Sequence, residues 1–175
     1  MIFPFPPKQS GFLFETSSSQ ELTGGPLGGI SGTFVLKNYM TQEKFRLHFK
    51  AVGVGISAFP LPSFSYSTES MFSTGSPVWL GPRGSLPFSL GSLASSLTIN
   101  SFSLAAPSDD GRPAGSGFAL VRFGATPFIP ADLIIPVLSA ASTTAFFTMG
   151  GDLFGTKSLA AMYYYGAVHS IVNVT

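Results

Sequence analysis

The chain has 175 residues, of which 45% are hydrophobic and only 10% are charged, with nine basic residues against eight acidic ones and a net charge of +1. This length fits one domain, and so balanced a charge argues against nucleic-acid binding. The sequence contains no cysteine, which excludes disulfides, thiolate metal sites and cysteine nucleophiles.

The polar surface must be built largely from hydroxyl groups, because the chain contains 25 Ser and 13 Thr. Hydroxyls hydrate less strongly than charges and do not repel one another. We therefore expect a surface that self-associates or binds an apolar partner or a membrane. The simpler alternative is a soluble protein with a Ser/Thr-rich β surface.

The first 32 residues are rich in proline and glycine, with Pro4, Pro6 and Pro7 followed by "TGGPLGGISG". Both residue types disfavour helices and central strands. The sequence thus predicts an irregular arm over residues 1–32 and a single all-β domain over 33–175. The start lacks the basic and continuous apolar regions of a signal peptide, so export would require a leaderless route or processing from a longer chain.

A β-hairpin is predicted from Thr33 onward. "TFVLKNY" and "KFRLHFKAV" are rich in aromatic and β-branched residues and are separated by "MTQE", a loop length typical of hairpins. After Lys50 the sequence changes to glycine and valine. We expect a bend or bulge at Gly53 or Gly55, because a straight strand of this length is unusual.

The middle of the chain predicts short strands and loops. Residues 60–92 hold many prolines and glycines, which favour edge strands or Ω-like loops. At most a two-turn helix is expected over Leu90 to Leu97. "LTINSFSL" is a strand whose apolar phase shifts as a bulge near Asn100 would produce.

The second half of the chain also indicates strands. "APSDDGRPAGSG" reads as a loop and "FALVRFG" as a central strand with both faces covered. Two buried strands, "DLIIPVLS" and "TTAFFTMG", explain residues 131–151 at least as well as a membrane-spanning helix does. The last segment is either a strand pair broken at Gly166 or a short helix and a strand. Together these elements predict an all-β antiparallel sandwich or barrel of roughly eight to ten strands, with little helix.

No catalytic or cofactor signature is present. Asp109 and Asp110 fit a turn better than a metal site. His48 and His169 are the only histidines, which excludes a three-histidine zinc site. The glycine runs lack the Lys-Ser or Lys-Thr of a phosphate-binding loop. We therefore expect no catalytic residues, no metal site and no cofactor.

A stripe of basic residues occupies every second position of the second hairpin strand and must share one face. Neighbouring charges about 6.6 Å apart repel by roughly 0.6 kcal/mol in water. The stripe must therefore lie in solvent, opposite acids or against an anionic partner. The acids that could neutralise it are Glu15, Glu21, Glu43 and Glu69. With the amphipathic aromatics, the candidate binding residues are Lys44, Arg46, His48, Lys50, Trp79, Tyr163 and Tyr165.

These features favour a non-enzymatic protein that acts through an apolar, hydroxyl-rich β surface. Its partner would be another protein, a second copy of itself or an anionic membrane, and a membrane-active or pore-forming toxin is the sharper version of the hypothesis. One alternative is a structural or secretion-apparatus subunit that self-assembles. Another is a hydrolase using Asp109, Asp110 and one histidine.

Overall fold

The computed structural model describes residues 8–24, 27–57, 76–107, 113–124, 143–154 and 158–175. For some of these residues it describes the backbone but not the side chain. A 3₁₀ helix spans Leu90–Leu93. The strands are β1 Lys8–Gly24, β2 Leu27–Asn38, β3 Lys44–Ser57, β4 Ser76–Leu80, β5 Ser96–Pro107, β6 Pro113–Phe123, β7 Ala145–Phe154 and β8 Ser158–Asn173.

The eight strands close into one antiparallel barrel in the order β1-β2-β3-β8-β5-β6-β7-β4. β8 lies between β3 and β5, so the end of the chain pairs with strands far from it in sequence. The predicted all-β antiparallel class is confirmed, and of the two predicted architectures the protein adopts the barrel.

Alternate residues of the strands point into the barrel, as the two-residue period of a strand requires. Aromatic rings fill much of this interior. Phe34 stacks on Phe49 with ring centroids 4.4 Å apart, and Phe14 stacks on Phe147 at 4.6 Å. Phe34 also meets the edge of Phe147 at 5.4 Å. The described part of the interior is therefore a packed core.

The predicted hairpin is confirmed as β2 and β3. Its register pairs Leu36 with Phe45 in an unshifted ladder. At the tip, the Asn38 side-chain oxygen accepts hydrogen bonds from the backbone amides of Met40 and Thr41 at 2.9 and 3.1 Å. This Asx-type turn reverses the chain.

The irregular arm predicted over residues 1–32 is wrong for its described part. Residues 8–24 form β1 and β2 begins at Leu27, and both strands belong to the barrel. Glycine did not break the strands, because Gly28, Gly29 and Gly32 pair on both sides, with β1 and with β3. Backbone pairing needs no side chain, so the hydrogen bonds between the strands outweighed the tendency of glycine to interrupt them. The three prolines lie outside the described residues.

The predicted irregularities lie elsewhere than expected. β5 keeps an unshifted register through Asn100 with both neighbours, and β3 pairs with β2 without a shift through Gly53. The bulge in this region lies on β8, between the partners of His48 and Phe49. β8 is one strand through Gly166, whose missing side chain lets the backbone of Lys50 and Ala51 approach closely.

The predictions for the helix and for the strands in the second half of the chain are confirmed in part. The predicted helix shrinks to the 3₁₀ turn at Leu90–Leu93. "FALVRFG" lies in β6 with residues of both faces buried, as predicted. "TTAFFTMG" lies largely in β7, whereas "DLIIPVLS" is outside the described residues. Among the described residues, no helix has the length and apolar character needed to cross a membrane.

Candidate functional site

The basic stripe lies on the outer surface of β3, as predicted. Leu47 and Phe49 are buried in the core, so the alternating positions between and beside them face outward. Arg46 and Lys50 are exposed, and His48 is half-buried. We call this surface the cationic wall and define it as Lys44, Arg46, His48 and Lys50 of β3 with His169 of β8.

One acid neutralises one end of the cationic wall. Lys44 Nζ lies 2.8 Å from Glu15 Oε1, with both side chains partly exposed. Glu15 stands at the register shift of β1 between Phe14 and Thr16. Glu43 accepts a hydrogen bond from the Thr41 hydroxyl instead.

Arg46 and Lys50 have no ion pair with another residue among those the structure describes. The side chains of the two remaining candidate acids, Glu21 and Glu69, lie outside the described set. The wall therefore carries two exposed cations that no described acid neutralises.

The two histidines of the chain meet on this wall. The ring centroids of His48 and His169 lie 6.1 Å apart, with the ring planes inclined by 36°. His169 is exposed. Sequence reasoning noted both histidines but had no means of placing them together, because the contact depends on the pairing of β3 with β8.

Exposed apolar side chains lie beside the cationic wall on β3 and β8 and at the tip of the β2–β3 hairpin. Val52 follows Lys50 on the outer face of β3 and is 71% exposed. Val172, 47% exposed, stands directly opposite Arg46 in the ladder. At the hairpin tip, Tyr39 and Met40 are 63% and 82% exposed. The cationic wall is thus bordered by apolar groups in contact with water.

Part of the outer surface of β5 to β8 has the opposite character and is buried. Arg122 is only 2% exposed although it lies on the strand face that points away from the core. Its Nη2 donates a hydrogen bond of 3.2 Å to Asn100 Oδ1. The other buried side chains of this surface are Thr98, Leu120, Phe146 and Tyr163.

The predicted aromatic candidates lie around this buried surface and are not gathered into one site with the basic stripe. Tyr163 is buried and Tyr165 is half-buried, while Tyr164 points into the core, as the strand alternation predicts. Tyr165 pairs with Val52 and so borders the cationic wall. Trp79 lies on β4, opposite Phe146 of β7, where it adjoins the buried surface but not the cationic wall.

Among the described residues, no three histidine, aspartate or glutamate side chains lie together as metal ligands would. Asp109 and Asp110 fall outside the described ranges, so the hydrolase hypothesis stays a prediction. The contact of the buried Arg122 with the half-buried Asn100 was not predicted as a site from the sequence. The only signal for it was one charge within an apolar run.

Fold and surface together define an antiparallel eight-stranded barrel whose described outer surface includes a buried patch and the open cationic wall. Comparison with protein-family models, with curated proteins and with solved structures finds no match for this chain.

Proposed function

We propose that this chain is a non-enzymatic binding protein that docks its cationic wall on an anionic lipid membrane. The observation that carries the proposal is the placement of exposed cations and exposed apolar side chains on one side of the barrel. Arg46 and Lys50 are solvent-exposed, with Val172 and Val52 beside them.

Charge complementarity selects an acidic partner. A basic residue near an anionic leaflet contributes about 1 kcal/mol of attraction. Arg46 and Lys50 are on one strand face, four residues apart, so both can approach the same flat surface. Lys44 contributes less because Glu15 already neutralises it.

The apolar groups favour a bilayer over an acidic protein or a soluble anion. Valine, methionine and tyrosine side chains gain free energy when they leave water, and tyrosine is enriched where headgroups meet the hydrocarbon region. Met40 and Tyr39 project from the hairpin tip, where a shallow contact with headgroups needs no change in the barrel.

The packed interior favours docking over the pore-forming version of this hypothesis. An aqueous channel needs an open lumen, whereas Phe34, Phe49 and Phe147 fill the described part of this barrel. The surface proposal needs no rearrangement of that core.

Vesicle co-sedimentation tests the proposal. The wild-type protein is mixed with phosphatidylcholine vesicles or with vesicles that also contain phosphatidylserine, at low and at high salt. We expect binding to the anionic vesicles that weakens with salt as the charges are screened. Equal binding to both compositions, or none to either, would contradict the proposal.

Two further readouts separate the alternatives. Release of an entrapped dye that survives high salt would support membrane insertion instead of docking. If the protein does not bind vesicles and elutes from a size-exclusion column above the mass of a monomer, the result would support the hypothesis of a self-assembling subunit.

A further inference from the structure

The only two histidines of the chain lie side by side on an open surface, although they come from distant parts of the sequence. His48 belongs to β3 and His169 to β8, and their ring centroids are 6.1 Å apart. His169 is exposed and His48 is half-buried, so an ion can reach both rings from solvent.

A β-bulge places His169 on the outer surface. In the ladder, His48 pairs with Ser170 and Phe49 pairs with Val168, which leaves one extra residue on β8. Val168 and Ile171 both pack on the core. Two consecutive residues, His169 and Ser170, therefore lie on the outer side between them, as a bulge allows.

We infer that His48 and His169 together bind a divalent late transition metal ion, with water completing the coordination. Imidazole nitrogens bind such ions at about 2.0–2.1 Å, which places the centroids of two adjacent rings about 5 Å apart on a tetrahedral ion and about 4.5 Å apart on a square-planar one. The rings need to close by about 1 to 1.5 Å, which side-chain rotation of the exposed His169 supplies.

The surroundings of the pair select the metal. Arg46 and Lys50 lie on the same strand face as His48 and repel a dication. The described residues place no group of carboxylates there, so hard ions such as Ca²⁺ and Mg²⁺ lack the oxygen ligands that they require. Cu²⁺ has the highest affinity for imidazole in the first-row series and best overcomes the repulsion. This inference does not rest on membrane docking.

Titration with Cu²⁺ alone tests the site, and calorimetry and electron paramagnetic resonance monitor the binding. The wild type is compared with His48→Gln and with His169→Gln. Both substitutions are at the surface, and circular dichroism checks that the fold is kept. We expect each to weaken Cu²⁺ binding by tenfold or more, since losing even a group that orients a ligand costs about 10–100-fold.

The two readouts distinguish Cu²⁺ bound by the histidine pair from Cu²⁺ bound elsewhere on the protein. Since the compared quantity is the difference between wild type and variant, Cu²⁺ bound elsewhere cancels. The resonance spectrum should show two coordinating nitrogens that become one in either variant, and Arg46→Gln should tighten binding by reducing the repulsion. Unchanged affinity and spectrum in both histidine variants, or a spectrum without imidazole nitrogens in the wild type, would overturn the inference.

Discussion

The ring of Tyr164 lies over Gly53, its partner on the neighbouring strand, and fills the space that a side chain at Gly53 would take. A Cβ built on Gly53 would stand 2.5 Å from Tyr164 Cδ1 and would also collide with the carbonyl of Tyr163. Tyr164 is 1% exposed. The change from Leu47 and Phe49 to glycine on the inward face of β3 therefore follows from the packing of the barrel interior.

Gly53→Ala should destabilise the fold. The added methyl group must displace backbone as well as a buried ring, and overpacking of this kind costs typically about 1–3 kcal/mol. The midpoint of urea unfolding measures the loss. Gly91→Ala is the matched control, because its nearest neighbour atom would be 3.8 Å away. Equal midpoints for the two variants would mean that Tyr164 moves aside at no cost.

Phe34→Ala should be among the most damaging core substitutions. Phe34 is 1% exposed and contacts the rings of Phe14, Phe49 and Phe147. Removing such a side chain costs about 3–5 kcal/mol. Met40→Ala, at a position 82% exposed, should change stability by less than about 0.5 kcal/mol. Thermal or urea unfolding compares the two, and a small loss at Phe34 would contradict the packed interior.

Asn100 should stabilise the buried guanidinium of Arg122. Asn100→Leu removes the acceptor of the 3.2 Å hydrogen bond and should cost about 1–3 kcal/mol. Asn100→Asp keeps an acceptor of the same shape and adds a charge opposite to that of Arg122, so it should be at least as stable as the wild type. A leucine variant that unfolds at the wild-type midpoint would show that this contact contributes nothing.

The ion pair of Lys44 with Glu15 should be weak. Its side chains are 43% and 30% exposed, and pairs in such positions contribute up to about 1 kcal/mol. A double-mutant cycle with Lys44→Gln and Glu15→Gln measures the coupling, which should shrink as salt is added. A larger coupling that resists salt would mean that the pair is shielded from water.

Local patterns predicted the parts of the fold that local chemistry decides. The alternation from Lys44 to Lys50 identified both faces of β3, and the apolar run around Arg122 identified a strand covered on both faces. The prediction failed at β1 and at Asn100, where pairing with neighbours decided the outcome. Glycine-rich segments form strands here because the closed barrel supplies a partner on each side of every strand.

The cationic wall was predictable only in its part on β3. Through the pairing of β3 with β8, His169 joins that wall and Val172 and Tyr165 border it, and no signal within either segment specifies this partner. The location of the bulge likewise depends on that pairing. Long-range register therefore limited the prediction of the site more than the chemistry of its residues did.

Charge reversal on the cationic wall tests membrane docking most directly. The variant Arg46→Glu with Lys50→Glu is compared with Lys8→Glu and Arg83→Glu, which makes the same change in net charge at exposed positions on β1 and after β4. The measured quantity is the partition constant on vesicles containing phosphatidylserine. We expect the wall variant to lose at least about 2 kcal/mol of binding, roughly thirtyfold, because two attractions are lost and two repulsions are added, and the control to lose far less. Equal losses in the two variants, or no loss in the wall variant, would contradict docking through this surface.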